Sequence, residues 1–155
     1  DRMKVIVITF VIIVGLVIFV NVLANILSYT SFTQYVSEHI NEETTINNVS
    51  ITVNDIDDRG KKLDYTSITI EDREIIENLL QDFSEVKLKK DFYRSHWGEK
   101  YRVDFFVTNP ASDGNYVITN SFSFSVDENY LNNLKIMNST NHLNTIEEIV
   151  RDEDL

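Results

Sequence analysis

Hydrophobic positions run unbroken at the start of the chain and then fall into two periods. From Val5 to Leu27 the sequence reads VIVITFVIIVGLVIFVNVLANIL, without a charge and interrupted only by Thr9, Gly15, Asn21 and Asn25. As a helix this run reaches about 35 Å, enough to cross the roughly 30 Å of bilayer hydrocarbon. It is apolar on every side and too long for the remaining chain to enclose, which predicts a transmembrane helix. Beyond it, Tyr29, Phe32, Val36 and Ile40 recur at spacings of three and four, with Thr30, Ser31, Thr33, Gln34, Ser37 and Glu38 on the other side. That period predicts that the membrane helix continues as an amphipathic stalk to about Asn41.

The pattern next shortens to two. Val49, Ile51 and Val53 alternate with Ser50 and Thr52, and YTSITI places Ile68 and Ile70 on one side. Both stretches predict strands, separated by the turn composition of NDIDDRGKK. In EDREIIENLLQDF the helical period returns through Ile75, Ile76, Leu79, Leu80 and Phe83, with Glu71 and Asp72 at the N-terminal end, where carboxylates are favoured. Further strands are predicted over 86–93, 100–108 and 116–126, the last with Tyr116, Ile118, Phe122, Phe124 and Val126 inward. Asp127 fits the cap of a short helix through Leu131 and Leu134, and Leu143, Ile146, Ile149 and Val150 predict a last helix.

Strands with one apolar and one Ser/Thr/charged face belong to an antiparallel sheet covered by helices on one side. The expected fold class is therefore α+β, with an N-terminal transmembrane helix and stalk. The expected organisation is a cytoplasmic N-terminus over 1–4, a transmembrane helix over 5–27, a juxtamembrane helical stalk over 28–44 and an extracytoplasmic domain over 45–155.

Charge sets the expected orientation. Arg2 and Lys4 precede the apolar run, and no Lys or Arg follows it until Arg59, which places the N-terminus in the cytoplasm and the domain outside. The chain carries −11; without Asp1, Arg2 and Lys4 there remain 12 basic and 24 acidic residues, a charge of −12. A signal peptide cleaved after Ala24 is the rival reading, but the run exceeds the usual apolar length of such peptides. The Asn- and Ile-rich composition reads as that of an AT-rich bacterial genome. There is no cysteine, and hence no disulfide framework or thiol chemistry.

Within this acidic chain, KLKKDFYRSHWGEKYR (Lys87 to Arg102) gathers basic and aromatic residues. Read as a hairpin looping over Arg94–Glu99, it pairs Asp91 with Arg102 and Lys89 with Asp104 on one face. The opposite face is largely apolar, so most of the basic patch compensates itself. The loop tip remains: Arg94, His96 and Trp97, the only tryptophan, form a candidate partner-binding site. Two further candidates are the stalk stripe Tyr29, Phe32, Val36 and Ile40, which must bury itself either against the chain's own domain or against another membrane protein or a second copy, and the pair Asn21 and Asn25, whose amides share a helix face and suit helix pairing in a membrane.

Catalytic patterns are missing from the sequence. His39, His96 and His142 lack metal-ligand spacing, the four glycines form no phosphate loop, and no nucleophile motif occurs. In NDIDDRG, Arg59 falls where a calcium loop needs an oxygen ligand, so a turn is the better reading of Asn54 to Asp58. No cofactor or metal is expected, and the charge excludes nucleic acid. The stretch ITIEDREIIENLLQDFSEVKLKKDFY, with YRVDFFV after it, resembles small extracytoplasmic α+β domains of unknown function in Firmicute lipoproteins and single-pass proteins. The resemblance covers roughly Ser67 to Val107, lacks their lipobox cysteine, and implies an exported module with no activity to inherit.

The expectation is thus a single-pass, non-enzymatic accessory or regulatory subunit of a membrane assembly such as a transporter. Its partners would be another integral membrane protein or its own copies, together with the lipid bilayer. The alternative is an extracytoplasmic sensor or immunity-type module that captures a cationic peptide or cell-envelope ligand through its negative charge.

Overall fold

The uncharged run lies within one helix, α1 (Arg2–Leu27), whose 26 residues span about 39 Å. The computed structural model describes residues 2–91, 99–111 and 115–153, except for the side chains of Val5 and Ile6. No part of the apolar window of α1 is buried against the rest of the chain, so by length and composition it is a membrane-span candidate.

The helix does not continue as a stalk. It stops at Leu27, and after Ser28 the chain forms strand β1 (Tyr29–Ser31) and then only a short helix, α2 (Phe32–Val36). The apolar stripe packs against the chain's own domain, one of its two expected targets, and only the continuous helix is missing. Phe32 and Val36 are 2% and 8% exposed, and Ile40 packs against the same core. The Phe32 ring stacks on Phe83 at 4.9 Å and meets Phe124 edge-on at 5.5 Å. Burying one such side chain contributes about 1.5–3 kcal/mol, which outweighs any gain from extending a solvated helix.

The remaining elements are β2 (Thr45–Ile56), β3 (Lys62–Ile70), α3 (Arg73–Ser84), β4 (Lys87–Lys90), β5 (Tyr101–Pro110), β6 (Val117–Val126), β7 (Tyr130–Leu131), β8 (Leu134–Ile136) and α4 (Asn144–Asp152). The fold is α+β, built on one antiparallel sheet of eight strands in the order β1-β4-β8-β7-β6-β5-β2-β3. Alternation is clean in the centre: Tyr101, Val103, Phe105 and Val107 are buried on β5, as are Phe122, Phe124 and Val126 on β6. Helix α3 begins as its sequence predicts, with Asp72 accepting from the amides of Glu74 and Ile75.

Three expectations fail. The segment from Lys87 to Arg102 is not a hairpin: β4 pairs with β1 and β8, whereas β5 pairs with β2 and β6. Leu131 and Leu134 do not share a helix but face each other across the tight β7–β8 hairpin, where Asn132 takes a left-handed φ of 50°. Asp127 caps that region as a turn, accepting from the amides of Asn129 and Tyr130. Finally, Tyr116 and Ile118 are exposed, because the β5–β6 hairpin extends past the core.

Candidate functional site at the junction of helix and sheet

A single residue, Ser28, separates α1 from β1, and it is buried. Its hydroxyl donates to the Asn25 carbonyl at 2.6 Å, and its own carbonyl accepts from the Lys90 amide at 2.9 Å. Lys89 reaches back from β4: its Nζ donates to Asn25 Oδ1 at 2.9 Å and lies 4.9 Å from the centre of the Tyr29 ring. The last turn of α1 carries no basic residue of its own. Lys89 therefore supplies the positive charge that the carbonyl end of a helix favours. Helix and sheet are thus tied by both backbone and side chains, with no linker between them.

From this joint a row of side chains crosses the sheet on the face opposite the core. Tyr29 pairs with Lys89 and Lys89 with Lys135, which in turn pairs with Tyr130. The neighbouring Leu88, Leu131, Leu134 and Ile136 all point into the core. Lys87 shares the outer face with Lys89 by the two-residue period of a strand. The Tyr130 hydroxyl donates to Asp91 at 3.1 Å.

The broader outer face of β2, β5 and β6 is polar. Arg102 holds Asp104 through bonds of 2.9 to 3.1 Å and donates to Ser123 at 2.9 Å. The bond to Asp104 pushes the Arg102 pKa up, but the pair is solvated, and such pairs contribute little to stability. Ser50 and Ser67 share a bond of 2.9 Å beside it. Behind the sheet, His142 is 4% exposed, with Nε2 at 3.0 Å from the Asp127 carbonyl and Nδ1 at 3.1 Å from the Thr140 hydroxyl. A carbonyl only accepts, so Nε2 is the donor in its bond to Asp127.

The residues singled out from sequence scatter. Arg94, His96 and Trp97 lie outside the described residues. Phe32 and Val36 belong to the core and Ile40 packs on it, so the stripe is not an open surface; only Tyr29 is exposed, at the junction. Asn21 donates to the Val17 carbonyl of its own helix at 2.7 Å, while Asn25 engages Lys89. In the acidic loop, Asp57 Oδ1 accepts from the amides of Arg59 and Lys61, with Gly60 at φ 77°, so Asn54 to Asp58 end β2 in a hairpin turn. Among the described residues, no cluster of His, Asp and Glu is arranged to hold a metal ion.

Sequence reasoning missed Ser28, Lys89 as a helix partner, and Lys135. The exit of a helix after Leu27 could have drawn attention to Ser28. Nothing local pairs Lys89 with Lys135, because their strands are neighbours only through the order of the sheet. No protein-family model, curated protein or solved structure matches the chain.

Proposed function

We propose that this chain is a single-pass membrane protein whose α+β domain, exported with the N-terminus left in the cytoplasm, serves as a non-catalytic accessory or regulatory subunit of a membrane assembly such as a transporter. One observation carries the reading: the membrane-span candidate enters the sheet through one buried residue and three bonds, Ser28–Asn25, Lys90–Ser28 and Lys89–Asn25. A tethered ligand trap gains from a long flexible leash, which widens its reach. A rigid joint instead holds a surface at fixed height and angle, which suits a neighbour in the same membrane. The charge asymmetry around α1 supports the orientation. The alternation in β5 and the second half of β6, buried on one side and largely polar on the other, supports helices packed over one face and a free opposite face. The likeness to small exported Firmicute domains stands beside this as a proposal of the same kind.

The test is affinity capture of the full chain from native membranes in mild detergent, with the mass of the complex read by native mass spectrometry. A stoichiometric membrane partner, or a defined homo-oligomer, is the expected result. A lone monomer that instead retains a cationic peptide, and loses it steeply as salt is raised, would replace this reading with the capture module.

A further inference from the structure

The outer row at the joint gathers like charges. Lys89 and Lys135 are directly opposed across β4 and β8, and like charges so placed repel. None of the ion pairs between described residues involves either lysine, or Lys87. Asp91, just past the end of β4, receives the Tyr130 hydroxyl. The rest of the chain is strongly acidic, so three lysines on one face without an ion pair among the described residues, flanked by Tyr29 and Tyr130, run against its composition.

Their position explains them. Lys89 Nζ bonds to Asn25, in the last turn of α1, so the row begins at the level where that helix would leave the hydrocarbon. Tyrosine and lysine are the residues that favour this layer, the ring among the glycerol and carbonyl groups and the ammonium among the phosphates. We propose that the outer face of β1, β4 and β8, through Tyr29, Lys87, Lys89 and Lys135, lies against the bilayer and binds the phosphates of anionic lipid headgroups. A phosphate between Lys89 and Lys135 turns their repulsion into two charge-assisted contacts. The acidic remainder of the domain is repelled by the same lipids, so attraction here and repulsion elsewhere together fix which face lies down.

This inference rests on α1 as a membrane anchor, and the experiment separates the two. The full chain is placed in lipid nanodiscs of phosphatidylcholine alone or mixed with phosphatidylglycerol. It is then acetylated briefly with an amine-reactive ester and read by peptide mass spectrometry. Failure of the anchor shows first, as chain that does not travel with the discs. With the anchor intact, labelling of Lys87, Lys89 and Lys135 is expected to fall about fivefold in the anionic discs, the effect of a lysine held at such a surface. Lys61 and Lys62, in the β2–β3 hairpin and at the start of β3, are expected to stay unchanged, and high salt should remove the protection. In Lys135→Gln, an exposed change that leaves the core intact, the protection of Lys89 should shrink. Equal labelling in both discs overturns the proposal, as does equal protection of Lys62. Protection by inorganic phosphate in the neutral discs would mark a small-anion site and overturn the membrane assignment.

Discussion

Asn132 shows how much one side chain can settle. Its left-handed φ of 50° turns β7 into β8, a conformation that asparagine tolerates better than most residues. Its amide group then holds two neighbours: Nδ2 donates to the Tyr35 hydroxyl at 2.6 Å, and Oδ1 accepts from the Ser125 amide at 2.8 Å. Replacing it by glycine keeps the backbone and removes both bonds, which should cost about 1–3 kcal/mol. Alanine adds roughly 1–2 kcal/mol for the left-handed backbone. Urea unfolding of the two variants in detergent should therefore rank Asn132→Gly above Asn132→Ala; equal midpoints would show that the turn stores no conformational preference. Tyr35 itself responds to alkali. Its burial raises the phenol above its ordinary 10.0, against the lowering effect of the Asn132 bond. A group with a raised folded pKa gives its stability fully below the unfolded value and loses it as pH climbs through the folded one. Stability should thus fall above about pH 10, and less steeply in Tyr35→Phe, as followed by thermal melts across that range.

At the scale of elements, local pattern was a good guide wherever an element's neighbours follow its own period. The strand β5 and the second half of β6, from Phe122 to Val126, alternate in the sequence and in the sheet. Helix α3 starts beside the acidic pair Glu71 and Asp72, as expected, and Asp72 proves to be its cap. The guide failed where partners come from far along the chain. Tyr29 to Ile40 has a helical period, yet pairing of Tyr29–Ser31 with Lys87–Lys89 draws its start into a strand. The spacing of Leu131 and Leu134 fits a helix turn and a two-residue hairpin equally well; only the backbone at Asn132 decides between them. The same holds for the joint, since no reading of the first 30 residues could reveal that Lys89 meets Asn25. Helix α4 gives another case of remote support. Leu143, at its N-cap, makes no side-chain capping bond, and Asp82 of α3 instead accepts from the Thr145 amide at 2.8 Å. Asp82→Ala should cost about 0.5–2 kcal/mol, as loss of a cap does. Hydrogen exchange should show the effect concentrated in α4; an equal effect on β5 would mean that the bond is incidental.

For the whole molecule, the consequence of the one-residue passage from α1 to β1 is rotational. Helix and domain share a single phase, like a key and its bow: whichever side of the helix is gripped dictates which side of the sheet faces the neighbour. Each residue added to a helix turns the chain downstream of it by about 100° and lifts it about 1.5 Å. Alanines inserted within α1, before Asn21, would leave every bond at the joint intact while swinging the domain around the axis of α1. If a partner holds both parts, its capture should fail after one or two insertions and return after about four, close to one full turn. A chain with a slack linker would show no such rhythm, whatever the number added. Here the length of α1 becomes an angular variable, and a difference of one residue in it would re-aim the domain as surely as a change on its surface.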